Sequence, residues 1–406
     1  MTQAATRIDV PDLTRQRPAA RTKARPCAPF AGMIEMVLVE EPVQFAFTGS
    51  LSRKDAETIW TWVVRDLCPD LISAEGIANG NFSAADLELI LTGVSQRARQ
   101  ALLQAGENPE ALRRLRAMMG SAEVVERVPQ LLVALRNRAL LGKAQAFGKA
   151  VNAIADEAAL GQALQSMPIH DPAIAALVFH AAMGQIVNPL RVVAAIIKLS
   201  GNATEQGIAR NGFGPVIEAM LAHAQNQVYL LQPHGPFADI DLVCRALERF
   251  HRLVRALTGY IEFARGSRWA NALSGITKQV SDRIEPKLRD IVPDINQALR
   301  RGREGNLDRL DDDRLLAALN GVYLLKTIRD CRDSLALNAL FDQAWSQTGQ
   351  ALELHLQRNL DLLRQNPSDS VVVARLEAGI KMAEIRFNAD YAETLRRART
   401  AAERRF

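Results

Sequence analysis

Aromatic side chains make up only 5% of this 406-residue chain. The scarcity removes the interleaved rings on which single-stranded nucleic acid stacks. It also leaves a composition dominated by alanine and leucine, the residues with the lowest intrinsic cost in a helix. Cysteine is scarce as well: Cys27, Cys68, Cys244 and Cys331 are widely spaced and none forms a Cys-x-x-Cys pair. That pattern excludes a disulfide framework and a thiolate zinc site, and it predicts free thiols in a reducing, cytoplasmic setting.

Long apolar runs are missing too. Residues 1–30 contain no continuous apolar core of a secretory signal, and the longest uncharged stretch, 172–190, is interrupted by Pro172, His180, Gly184, Gln185, Asn188 and Pro189. It predicts a buried helix followed by a loop, with no transmembrane helix.

Short catalytic signatures are equally absent. No two of the six histidines (His170, His180, His223, His234, His251 and His355) share a helix face at i, i+4, so no metal site is expected. His180 and His223 fall in apolar helices and read as core histidines. Residues 211–215 (Asn-Gly-Phe-Gly-Pro) carry two glycines of a dinucleotide fingerprint but lack the third and a preceding strand, which makes them a loop that starts a helix. Asp311, Asp312 and Asp313 lack calcium-loop spacing and suit the positive end of a helix. No cofactor is expected.

What is present is charge at the ends and helical periodicity between them. Residues 1–30 hold six basic side chains against Asp9 and Asp12, and residues 391–406 hold five arginines against Glu393 and Glu403; the formal net charge is +5, so the residues between them sit near minus two. The basic character therefore belongs to the two ends. Arginine outnumbers lysine 41 to 9, which suggests a GC-rich bacterial genome.

Residues 1–30, with four prolines, predict a disordered basic tail. Residues 33–47 are the one strand-like part, with Val37, Leu38 and Val39 before Glu40-Glu41-Pro42 and alternating Val43, Phe45 and Phe47 after it; a short β-hairpin fits. Ser52, Ser83 and Asn108 then predict helix starts. Trp60 and Trp62 point to different sides of the first of these helices, which places one of them at an interface. Pro129 predicts a break within 121–159. Residues 160–235 combine frequent Gly and Pro with the most apolar segments, and 232–236 (Gln-Pro-His-Gly-Pro) mark a boundary.

Beyond it the helices lengthen. Val243, Leu247, Phe250, Val254, Leu257, Ile261 and Ala264 alternate gaps of four and three, with Ala246, Leu253 and Tyr260 widening the stripe, as on a packed bundle face. A second helix over 269–299 should break near Pro286 and Pro293. Two more should cover 335–364 and 371–404.

The expected fold is all-α, a multi-helix bundle or solenoid-like array. Shorter helices fill the N-terminal half and long antiparallel helices the C-terminal half, with the tail and room for one hairpin. The expected domains are 1–30, 31–235 and 236–406. The residues that stand out as an anion or partner-binding row are Arg245, Arg249, Arg252 and Arg255, although Glu248 offers Arg252 an i, i+4 partner. No catalytic, cofactor or metal residue is legible. The leading functional expectation is a non-enzymatic helical interaction or scaffold protein that engages another protein or a second copy of itself. The alternatives are attachment to nucleic acid or an anionic membrane surface through the basic ends, and a helical enzyme whose site is assembled from distant residues.

Overall fold

The computed structural model describes residues 29–40, 43–78, 82–231, 239–301 and 310–404. Eighteen α-helices and one two-stranded pair make up the regular structure of these residues, which is an all-α fold. They divide into two compact units: residues 29–229 with 252–276, and residues 230–251 with 277–404. We refer to them as the N-terminal and C-terminal units.

The N-terminal unit opens with helix α1 (Pro29–Met33), then strands β1 (Leu38–Val39) and β2 (Leu51–Ser52). Of the tail expected over 1–30, residues 1–28 lie outside the described residues. Phe30 is already core, 2% exposed and edge-on to Trp60 at 5.0 Å. Helix α2 (Arg53–Trp62) follows, capped by Ser52, whose side chain accepts from the Asp55 amide. It ends in a π-helical turn over Val63–Leu67, closed by Cys68 N donating to Val63 O at 2.8 Å. Trp60 and Trp62 are both buried, so neither marks an interface. The faces of α2 that lie apart in a helical projection are each covered, by α1 on one side and by α5 and α6 elsewhere.

Next come α3 (Ala74–Ala78), α4 (Ala84–Glu107), α5 (Pro109–Met119), α6 (Ala122–Arg136) and α7 (Arg138–Val151). Ser83 and Asp86 form a reciprocal capping box on α4, and Asn108 caps α5 ahead of Pro109, as their sequences require. Pro129 does not break α6. It lies on an exposed position while Val128, Leu131 and Leu132 bury the other side. Pro129 forgoes the bond to the Val125 carbonyl, and packing of the buried side holds the helix through the loss. The break falls at Asn137.

Helices α8 (Glu157–Gln165), α9 (Pro172–Met183), α10 (Pro189–Ser200), α11 (Glu205–Arg210) and α12 (Gly214–Leu230) complete the run. All nine residues from Ala175 to Met183 are buried, as an all-round apolar helix requires. Helices α7 and α9 pack at Gly148, where an added Cβ would stand 2.2 Å from the Ala182 carbonyl oxygen.

The expected hairpin is replaced by a different arrangement. β1 and β2 pair in parallel, Leu38 with Leu51 and Val39 with Ser52. The alternation in residues 43–47 is nevertheless real: Val43, Phe45 and Phe47 turn inward while Gln44 and Ala46 are exposed. This extended strap has a helix for a partner. Gln225 of α12 accepts from the amides of Gln44 (3.2 Å) and Phe45 (2.8 Å) and donates to the Phe45 carbonyl (3.0 Å). Asn226 accepts from Glu40 N (2.8 Å) and Glu218 from Thr48 N (3.0 Å). Side chains thereby satisfy the backbone groups that a second strand would otherwise have taken. Gly49, at φ 91°, ends the strap against the Ala176 carbonyl, where no Cβ fits.

Helices α13 (Ile240–Thr258) and α14 (Arg268–Leu299) contribute residues to both units. The boundary expected at 232–236 lies outside the described residues. Val243, Leu247, Phe250, Val254, Leu257 and Ile261 are all buried. Tyr260 and Ala264 are exposed, because α13 stops at Thr258 and the helical period ceases to apply. Helix α14 runs unbroken through Pro286 and Pro293. Both prolines sit on exposed positions, opposite buried Ile284, Leu288, Ile291 and Ile295, whose packing holds the helix through the lost bonds.

The C-terminal unit adds α15 (Asp312–Cys331), α16 (Asn338–Gln365), α17 (Ser370–Arg386) and α18 (Ala389–Glu403). Helix α17 packs on α15, α16 and α18. The single helix expected over 371–404 is two: Phe387 leaves helical geometry (ψ −87°) and Asn388 caps α18 through the Tyr391 amide. No helix among the described residues is long and apolar enough to cross a membrane.

Candidate anion-binding cleft

A cleft of about 1010 Å³ lies within the C-terminal unit. Four helices build it: the last turn of α14, the start of α15, the middle of α16 and the first half of α17. Each supplies its polar side chains for a local reason.

Helix α14 ends with carbonyls that no further turn satisfies. Asn359 on α16 answers one of them, donating to Leu299 O at 3.2 Å and to His355 O, one turn back on its own helix, at 2.8 Å. This side chain ties α16 to the end of α14. Arg300 and Arg301 follow at once, cations at the negative end of the helix. One turn before Asn359, His355 donates from Nε2 to Asn296 Oδ1 at 2.9 Å, which fixes its tautomer. Burial, then the positive fields of Arg358 and Arg375, hold this imidazole below its usual range, so it is neutral at pH 7.

The opposite wall starts at Asp311, which caps α15 by accepting from Arg314 N at 3.1 Å and pairs with the Arg314 guanidinium at 3.0 Å. The three aspartates are therefore a helix start, as their sequence suggests. Asp312 and Asp313 remain exposed beside them. Arg375 is 2% exposed.

Around this cleft Arg300, Arg301 and Arg358 are exposed, and among the described residues none of the three forms a hydrogen bond or ion pair. The lining holds five arginines against three aspartates, one of them already paired with Arg314. The described lining contains no serine, cysteine, threonine, lysine or tyrosine to act as a nucleophile, and its one ring is the His355 imidazole. Its chemistry is recognition of negative charge by guanidinium groups.

The arginines singled out in the sequence lie elsewhere. Arg245, Arg252 and Arg255 are exposed on α13 and Arg249 is half-buried; Arg245 Nε reaches the Asp241 carbonyl at 3.2 Å. No ion pair joins Glu248 to Arg252 among the described residues. Arg245 and Arg249 belong to the C-terminal unit, Arg252 and Arg255 to the N-terminal unit. The basic C-terminal end is largely neutralised. Arg396 pairs with Glu384 at 2.5 Å, Arg397 with Glu393 at 3.4 Å, and Arg399 bonds Glu377 and Glu403.

The remaining polar candidates have structural settings. His180 and His223 stack at 4.3 Å in the N-terminal unit, with His223 Nε2 on the His180 carbonyl at 2.8 Å. His251 Nδ1 shares a hydrogen bond with Ser334 Oγ at 2.8 Å. Cys68 and Cys331 are buried free thiols, and Cys244 is half-buried. Residues 211–215 form the loop that starts α12, preceded by helix α11. Sequence reasoning missed Arg300, Arg301, Arg358 and Arg375 because they are far apart in the chain. The adjacent arginines at the end of a long helix were the one local signal.

No family model, curated protein or solved structure matches this chain.

Proposed function

We propose that the chain is a non-enzymatic helical interaction protein of the cytoplasm that engages an anionic feature of its partner in the C-terminal cleft. The observation that carries this reading is the set of three guanidinium groups, Arg300, Arg301 and Arg358, that line one opening and have no partner among the described residues. Charge held without a counter-ion gives little to the fold and is available to a ligand.

Pairing of helix faces is a weaker basis for partnership than the sequence suggests. The heptad-type stripes of α13 and α14 are buried within the chain and are not themselves exposed faces for self-association. The C-terminal basic end is a weaker candidate in this reading, since Arg396, Arg397 and Arg399 of α18 are held by carboxylates. The α13 row of Arg245, Arg249, Arg252 and Arg255 remains as a second anion-binding surface in this reading.

The test is affinity capture from nuclease-treated lysate with the wild type and with an Arg300→Glu, Arg301→Glu, Arg358→Glu triple variant of equal helicity and melting temperature. A stoichiometric partner held by the wild type and released by the variant, with retention falling as salt rises, is the expected result. Equal retention by both overturns the cleft as the working surface.

A further inference from the structure

The cleft differs from a general basic patch in the placement of its charges. Arg300 and Arg301 come from one element, Arg358 from another, and Asp312 and Asp313 stand on the α15 side of the same opening. Positive charge is therefore concentrated toward α14 and α16, with a negative border beside it.

That asymmetry discriminates between anions. An extended acidic peptide rises about 3.3 Å per residue with its side chains alternating between faces, so carboxylates on one side stand about 6.6 Å apart, and a chain long enough to neutralise several arginines must also run past Asp312 and Asp313. A compact anion with several charges on adjacent centres stays on the arginine side. Guanidinium forks also match phosphate oxygens in pairs. The described lining has no phenyl, phenol or indole ring on which a base would stack, and its one imidazole, His355, is buried and engaged by Asn296. The nearby Asn296 is already engaged by His355, while Gln297 adds an amide to the lining.

We infer that the cleft binds clustered phosphates, of the kind carried by a short inorganic polyphosphate, in preference to the separated carboxylates of an acidic peptide. This rests on the cleft being the binding site.

His355 provides an internal reporter. The charged groups that line the cleft with it are Arg300 and Arg301 just after α14, Asp311 capping α15, Asp312, Asp313 and Arg314 from α15, Arg358 on its own helix and Arg375 from α17. Repulsion from Arg358 and Arg375 helps to keep its ring neutral. An anion seated on Arg358 offsets that repulsion and raises the His355 pKa, so binding takes up protons as the pH falls.

Isothermal titration of the full chain at constant ionic strength, with sodium tripolyphosphate, orthophosphate and hexaglutamate, tests the inference. Tripolyphosphate is expected to bind at least about tenfold more tightly than either of the others, the equivalent of one charge-assisted hydrogen bond. Arg358→Gln and, separately, the exposed Arg301→Gln should each weaken it by about tenfold. Arg397→Gln on α18, 79% exposed, should leave it unchanged. Imidazole NMR should show the His355 pKa rising on saturation with tripolyphosphate.

Hexaglutamate binding as tightly as tripolyphosphate, with the same loss in Arg301→Gln and Arg358→Gln, overturns the phosphate inference and leaves the cleft as an anion site. Absence of binding by any of the three anions, or binding indifferent to both variants, overturns the inference and the cleft reading together.

Discussion

The Glu218 carboxylate receives the Arg268 guanidinium on Oε1 at 2.7 Å while its second oxygen holds the Thr48 amide at 3.0 Å. Arg268 in turn donates to the Ala46 carbonyl at 2.8 Å. One carboxylate on α12 thus fastens the strap twice, directly and through the arginine. Glu218→Ala should lower the stability of the N-terminal unit by about 2 kcal/mol, the cost of an orphaned amide and a lost charged acceptor. Thermal melting checks the size, and hydrogen exchange over residues 43–48 should rise before exchange elsewhere. Unchanged strap protection would show that its apolar side chains suffice.

Helix α7 carries a built-in comparison. Gly148→Ala drives a methyl group into the Ala182 backbone, whereas Gly142→Ala, on an exposed position of the same helix, meets nothing within 4 Å. The first should destabilise by about 2 kcal/mol through overpacking, although alanine favours helix formation. The second should stabilise by about 0.5–1 kcal/mol. Opposite shifts in melting temperature are the expected result.

Burial, and then the neighbouring His223, hold His180 well below its usual 6.5. The folded chain therefore binds fewer protons than the unfolded chain as the pH drops below about 6.5. Stability contributed by neutral His180 is intact above that value and declines as the pH falls, with a limiting slope of about 1.4 kcal/mol per pH unit for one proton. Hydrogen exchange of α9 and α12 between pH 7 and 5, corrected for intrinsic rates, should show this loss. His180→Gln should flatten it.

Arg386 lies 3.6 Å over the Trp345 ring and donates two hydrogen bonds to the Trp345 carbonyl, through Nε at 3.2 Å and Nη2 at 2.7 Å. Lysine keeps the charge and loses the planar fork. Arg386→Lys should cost about 1–2 kcal/mol and shift tryptophan emission to the red. A variant that melts with the wild type would make this stack an ornament of the surface.

Local signals in the sequence were reliable where the physics is local. Ser52, Ser83 and Asn108 start helices because their side chains reach amides two or three residues on. The α13 stripe is buried because its period matches the helix. Tertiary facts were less legible. Alternation at Val43, Phe45 and Phe47 revealed an extended chain but could not reveal that helix side chains pair with it. Pro129, Pro286 and Pro293 read as breaks because their exposure depends on what packs opposite. Asn388 carried a cap signal that the apolar spacing of α17 obscured. The cleft was invisible because its arginines meet only after four helices pack.

The strap also sets an order of events during synthesis. Its amides and carbonyls wait for side chains at positions 218, 225 and 226, some 170–186 residues downstream. At roughly 5–20 residues per second, the ribosome needs about 9–37 s to deliver them. Through that interval the Phe45 and Phe47 segment is outside the ribosome without its partner helix. The N-terminal unit therefore closes late, on the emergence of α12, however early its first helices form.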